Sequence, residues 1–368
     1  MSLVRLGDIA DVTAGQSAPQ GNCFSAKGTP FVRAGSLEPL LSGKSERELE
    51  QVSDEVAKAN RLKLQPEGTI VFAKSGMSCM KGYVYVLQNP CYVVSHLACV
   101  LPKSVGSNYL SYYFKWHKPN QLVKDEAYPS ISLADISNIS VEMHSAERQG
   151  EIVEHLDKAC ELIALRKQQV EALDLMVKSR FVDMFGDPVS NPMGWDVGTI
   201  RDIAAEVKYG TSKPASEGGR YPYLRMNNIT YDGQLDLSDL KYIDVPDHEL
   251  EKYVVRQGDV LFNRTNSKEL VGKTCVFNQD KQMVIAGYII RVRLNMKAIP
   301  TYLSTVLNSG YGKTTLRAIC KSIIGQANIN AQELQNIRVL IPPVPLQNRF
   351  AEFAEAADKS KFDVAFGV

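Results

Sequence analysis

Between Ala146 and Phe185, apolar side chains recur at Ile152, Leu156, Ala159, Ile163, Val170, Leu173, Val177 and Phe181. Steps of three, four and seven lay them in one stripe on an α-helix. Glu, Lys, Gln and Arg fill the other faces, which suits a solvated helix. The stretch has no proline and a single glycine, Gly150. A helix of about 37 residues spans about 55 Å, beyond the usual globular length. A polar helix of that length with a narrow apolar seam needs a partner helix, so the spacing predicts a spacer rod rather than a core helix.

The flanking segments follow other patterns. Thr69–Ala73, Val260–Phe262, Tyr83–Leu87 and Val284–Arg293 read as short buried strands. Tyr109–Trp116 and Tyr302–Leu307 read as short helices, and Gly, Pro, Asn and Ser punctuate the rest. That is an α+β domain rich in loops. A second apolar stripe, Leu346, Phe350, Phe353, Ala354 and Ala357, begins at Pro345 and marks a shorter distal helix.

The chain repeats itself on either side of the rod. Leu6-Gly7-Asp8-Ile9-Ala10 returns as Ile200-Arg201-Asp202-Ile203-Ala204 at an offset of 194. Pro30-Phe31-Val32-Arg33 returns as Pro222-Tyr223-Leu224-Arg225 at an offset of 192. Gly68-Thr69-Ile70-Val71-Phe72 returns as Gly258-Asp259-Val260-Leu261-Phe262 at 190, and Ile131–Ile139 as Ile329–Ile337 at 198. Ordered blocks with slowly drifting offsets are what loop insertions and deletions leave behind. The repeat is longer than a solenoid unit, so each copy is expected to be a domain plus a helix. The expected division is a first domain at 1–143, a central helix at 144–186, a second domain at 187–343 and a short distal helix at 344–368.

Composition narrows the class. A hydrophobic fraction of 44% and a charged fraction of 23% describe an ordinary globular protein. No apolar run approaches the ~20 residues of a membrane helix, and the first residues lack the pattern of a secretion signal. Seven scattered cysteines without CxxC spacing point to reduced thiols in a cytoplasm. The net charge of +1 does not advertise a nucleic-acid binder, yet it permits one whose bases gather on one surface.

Catalytic signatures are missing. Gly272-Lys273-Thr274 and Gly312-Lys313-Thr314 suggest phosphate loops, but the glycine needed five residues earlier is replaced by Ser267 and Leu307. Ile341-Pro342-Pro343-Val344 lacks both ends of an amino-methyltransferase tetrad, and no glycine-rich cofactor turn follows a strand. His96 and Cys99 have no second ligand pair nearby, so no metal is expected and His96 reads as a core histidine. No nucleophile elbow is present, and no cofactor is expected.

The repeated polar turns are the better candidates. They supply Arg33, Ser36, Lys74, Ser75 and Lys81 in the first copy. In the second they supply Arg225, Asn227, Asn228, Arg264, Thr265, Asn266 and Lys268. The loops 128–132 and 322–330 add Tyr128, Ser130, Gln326 and Asn328. Arg and Lys bond phosphates or guanine edges, and Asn and Gln suit adenine. The plainer alternative is that Arg33 and Arg225 merely hold a strand end.

Three features together carry a resemblance: the duplicated opening Leu6–Ala10, the block Gly258–Thr265, and Ile341-Pro342-Pro343 running into a helix at Gln347. With the rod ending Lys178-Ser179-Arg180-Phe181-Val182-Asp183-Met184-Phe185-Gly186, they resemble the specificity subunit of type I restriction-modification systems over nearly the whole chain. The resemblance implies two tandem pseudo-symmetric target-recognition domains of α+β class, separated by long helices in an antiparallel coiled coil. Each domain reads half of a split sequence in double-stranded DNA. Methyltransferase subunits dock on the helices and do the chemistry, and a restriction (motor) subunit joins them. The specificity chain itself is no enzyme. A coiled-coil scaffold with weak DNA binding, and an unrecognised nuclease, are the rival readings. The distal helix is short for this family, which is expected to leave Ile152, Leu156 and Ile163 bare and to invite a second copy or a methyltransferase subunit.

Overall fold

The computed structural model describes residues 2–366 apart from 22, 26, 268, 324 and 325, with backbone alone at 321–323, 326, 365 and 366. It separates into two compact units, Met1–Ala164 and Leu165–Val368, divided inside the long helix.

Both units use one plan. In the first, a four-stranded antiparallel sheet runs in the order Ala10–Ala14, Leu97–Pro102, Ile70–Ala73, Val84–Val86. The second repeats it with Ala204–Tyr209, Ile289–Leu294, Val260–Asn263 and Thr274–Val276. The central strands are buried along their whole length, which is why they read as unbroken apolar runs. A second sheet pairs Thr29–Val32 parallel with Tyr92–Val93, and Tyr221–Leu224 parallel with Met283–Ile285. Where the chain crosses between sheets the backbones press together: a Cβ on Gly15 or Gly210 would stand 2.2 Å from a carbonyl oxygen, of Val93 and Ile285 respectively. Only glycine fits there.

Each unit closes on itself. Ser2–Arg5 pairs with Ser140–Met143, and Asp196–Thr199 with Arg338–Ile341. A helix leaves each ribbon at once: Ala146–Phe185 after the first and Val344–Phe366 after the second. The long helix therefore has 40 residues, three more than the sequence estimate.

The distal helix docks on residues of the long helix within the second unit. Phe350 lies 5.2 Å from Phe181 and 5.6 Å from Phe185, ring to ring. Arg180 lies 5.8 Å from the Phe353 ring, and Lys361 ion-pairs with Asp174 at 2.5 Å. One residue number falls as the other rises, so the pair is antiparallel. Aromatic stacking and burial form the seat, and the ion pair adds to it from a largely buried Lys361 and a half-exposed Asp174.

Three sequence expectations need correction. Ile152 is not bare: with Val153 it packs on the core of the first unit. Residues 154–169 are all exposed, however, including Leu156, Leu162, Ile163 and Leu165. The run Val284–Arg293 is two strands in different sheets, broken at Gly287, whose N–H turns away to Thr211 O. And 322–330 is not a loop: Lys321–Ile323 and Gln326–Asn328 form a hairpin that pairs with Thr265–Asn266. The helix Gly310–Ile319 leads into this hairpin, where the first unit has only the short turn Pro119–Leu122.

Candidate nucleic-acid interface

The central strand of each sheet ends in a polar turn whose backbone groups need partners. In the first unit Lys74 N–H donates to His96 O at 2.9 Å, and Lys74 O accepts from Ile131 N–H at 2.8 Å. Ser75 bridges Ser130, and Gly76 N–H donates to Pro129 O. The second unit does the same with its own residues. Arg264 N–H donates to Tyr288 O and Arg264 O accepts from Ile329 N–H, both at 2.9 Å. Thr265 then pairs with Asn328 and Asn266 with Ala327. Candidate stretches some sixty residues apart in sequence thus form one ladder in each unit.

Side chains on the two ladders differ. Tyr128 is 82% exposed beside exposed Ser130, and Met77 is also exposed. Ser75 Oγ lies 2.8 Å from His96 Nδ1. In the second unit the Arg264 guanidinium sits 5.0 Å from the Tyr209 ring centroid, a cation–π distance. Asn266 is half-buried, its Oδ1 accepting from Ser267 N–H. Thr265 is buried. Among the described residues, Asn263 Nδ2, Arg264 Nε and Asn328 Oδ1 are buried without a protein partner. Buried polar groups are nearly always bonded, so these atoms hold hydrogen-bonding capacity that the described residues leave unused. Gln326 lies on the hairpin strand, and Lys268 falls outside the described residues.

The other candidates are engaged within their own units. Arg33 bonds Glu50 at 2.8 Å and covers the Phe24 ring, while its N–H donates to Ser36 Oγ. Arg225 pairs with Asp239 at 2.8 Å. Its N–H donates to Asn228 Oδ1, and buried Asn228 donates on to Asp236 O and Asp239 O. The plainer reading of these two arginines describes what they do here: each holds a turn at a strand end. Asn227 is the exposed member of that turn. Lys81 ion-pairs with Glu38 at 2.7 Å, and its bond and charge hold the Glu38 carboxyl below the ordinary range.

Sequence reading missed His96, Tyr209 and Tyr288. His96 is exposed rather than a core residue, because it sits in the reverse turn between strands of different sheets. Its counterpart Tyr288 is likewise exposed. The signal was present: Gly15-Gln16-Ser17 recurs as Gly210-Thr211-Ser212 at an offset of 195. Among the described residues no group of three His, Cys, Asp or Glu is placed to hold a metal, and no helix is long and apolar enough to cross a membrane.

The duplicated architecture has a match among known proteins. The family model for the type I restriction modification DNA specificity domain matches residues 1–175 and again 192–364. The chain belongs to this family. Both copies are DNA specificity domains, arranged in tandem. The chain is 23% identical over 342 residues to the specificity subunit of the type I restriction enzyme EcoKI of Escherichia coli strain K12, covering 86% of this chain and 73% of that one. It is 22% identical to the MjaIX specificity subunit of Methanocaldococcus jannaschii, covering 94% and 84%. A shorter match, 28% identical over 171 residues, covers 45% of this chain and 40% of the putative MjaX specificity subunit of that organism. Of that relative, then, the chain spans well under half. The type I restriction-modification S subunit from M. genitalium shares the fold, with a TM-score of 0.57 at 11% identity over 99% of this chain and 91% of that one.

Proposed function

We propose that this chain is the DNA-reading subunit of a type I restriction-modification complex, that it recognises a two-part target in double-stranded DNA, and that separate methyltransferase and restriction subunits do the chemistry. The observation that carries the reading is the duplication. One specificity domain occurs twice, and in each copy two distant polar stretches join on one ladder. The framework strands are alike, whereas the ladders carry Lys74-Ser75-Gly76 in one unit and Arg264-Thr265-Asn266 in the other. Two different readers on one framework fit a target whose halves differ. The site residues proposed to meet DNA are the ladder groups Lys74, Ser75, Tyr128, Ser130, Arg264, Asn266, Gln326 and Asn328, together with the exposed Asn227 of the Arg225 turn.

Methylome sequencing tests this in cells carrying the chain with its neighbouring methyltransferase gene. The expected result is a split methylation motif with a fixed spacer. Arg264→Ala should relax one half of that motif and leave the other intact, since a lost bidentate contact costs about 1–3 kcal/mol of discrimination. A stable complex that confers no motif would sink the reading and favour the scaffold.

The bare stretch of the long helix supplies the partner surface. Leu162 and Ile163 are 60% and 57% exposed, next to Leu165 and Leu156. Another chain covers this seam in the assembled complex: a methyltransferase subunit or a second copy. Sedimentation of the purified chain separates the two. Concentration-dependent association lost in Leu162→Glu/Ile163→Glu identifies a second copy. A monomer at every concentration rules the second copy out.

A further inference from the structure

The two Gly-Lys stretches that fail as phosphate loops meet in the second unit. Lys273 lies opposite Asn263, one residue before Arg264: Asn263 N–H donates to Lys273 O at 2.8 Å, and Gly272 N–H donates to Asn263 O at 2.9 Å. Lys313, on the helix Gly310–Ile319, donates to Asn308 Oδ1 at 3.0 Å and Gly272 O at 3.5 Å. Its Nζ also lies 4.8 Å from the Tyr231 ring centroid. Arg317, one turn along, donates to the Tyr231 hydroxyl at 3.4 Å. The same helix runs directly into the hairpin that pairs with Thr265–Asn266.

Every one of those partners is uncharged. Lys273 is buried all the same. Burial, then repulsion from Arg317, pushes Lys313 down to about 8; Asp232 pulls the other way by more than Lys273 adds, and burial also lowers Lys273. The first unit treats its cation differently: Lys81, two residues before the equivalent of Lys273, is neutralised by Glu38 at 2.7 Å. Three cations against the single charge of Asp232 leave a net positive cluster that an added anion would relieve.

We propose that Lys273, Lys313 and Arg317 form a phosphate site that takes a backbone phosphate of duplex DNA beside the Thr265–Asn266 ladder. This rests on the DNA-reading function above and adds a positioning contact to one domain only. A phosphate contact fixes register without reading sequence, so its loss weakens binding to all sequences alike.

The test uses the full chain and a mixed-sequence duplex, with affinity measured across a salt series. Lys313→Gln is expected to weaken binding about tenfold near 0.1 M salt and to reduce the slope of log K against log salt by about 0.9. Lys313→Arg keeps the charge and should keep the slope. The Gln variant removes a half-buried charge, so its melting temperature should not fall, which separates lost binding from lost folding. Unchanged slope and affinity in Lys313→Gln, Lys273→Gln and Arg317→Gln alike would overturn the site. If those variants bind normally while the split methylation motif still forms in cells, only this inference falls. If the wild-type chain binds no duplex and confers no motif, the DNA-reading function falls with it.

Discussion

Glu206→Ala should cost the second domain about 3–5 kcal/mol, the range for stranding a buried charge. Against a domain stability of about 5–15 kcal/mol, that threatens folding at physiological temperature. The reason is Arg291, whose side chain is fully buried on the central sheet. Glu206 bonds its Nη2 at 2.5 Å, while Asp259 is 3.9 Å from its Nε. Val254 O takes another of its protons, and among the described residues Nε has no hydrogen-bond partner. Without Glu206 the guanidinium keeps one carbonyl and one distant carboxylate.

Arg291→Met should be the milder change, although it removes the larger group. Glu206 would keep Lys208 at 2.6 Å and Arg293 at 3.2 Å, and Asp259 would keep Arg293 at 2.9 Å. Methionine refills most of the space, and a well-packed apolar replacement for a buried ion pair is often neutral. The first domain already uses that solution, placing buried Cys99 at the equivalent ladder position opposite Val71. Chemical denaturation of the two variants decides the matter. A larger loss in Arg291→Met than in Glu206→Ala would refute this ordering. Burial pushes the Glu206 carboxyl up, but bonds from Lys208 and Arg291 outweigh it and hold it below the ordinary value of 4.5. A depressed carboxylate stabilises the fold above its unfolded pKa, so this contribution is lost as pH falls below the ordinary carboxylate range.

The repeat made the framework legible. Buried strands such as Ile70–Ala73 and Val260–Asn263 must be apolar along their length, so their pattern survives in both copies at a fixed place. The long helix was legible for a similar reason: its stripe must face the distal helix around Phe181 and the first core at Ile152. The hairpin of the second domain was not. Its strands hold Lys321, Ser322, Gln326 and Asn328, with no alternation of apolar and polar positions, and its partner strand has two residues. Its pairing comes from backbone bonds that composition does not encode. The site was half legible. Residue types flagged both turns, but chemistry alone did not separate Arg264, which stacks on Tyr209, from Arg225, which is tied to Asp239. Nor did sequence place Lys273 beside Lys313, because the intervening forty residues had first to fold.

Inserting seven residues into the exposed helical segment 161–169, beyond the Tyr112 bonds to Asp157 and Cys160, should leave both half-sites of the methylation motif intact and lengthen the spacer between them. That segment touches neither core, and it lies within the helix through which the first domain is covalently joined to the second. Seven residues add about 10 Å of helix, or about three base-pair steps of 3.4 Å. A whole heptad also keeps the apolar stripe in phase, so the seat around Phe350 is not rotated out of register. Inserting three residues adds less length but turns the stripe by most of a revolution short of closure, and it should reduce methylation rather than re-space it. Both outcomes are read directly from methylome sequencing of cells carrying the altered chain. Methylation of the original motif with its original spacer, by either insertion variant, would show that the helix does not set the distance. The ladders at Lys74–Gly76 and Arg264–Asn266, proposed above to read the half-sites, are touched by neither insertion. On this proposal the length and the identity of the target reside in different parts of the chain, and each part can be altered while the other is held constant.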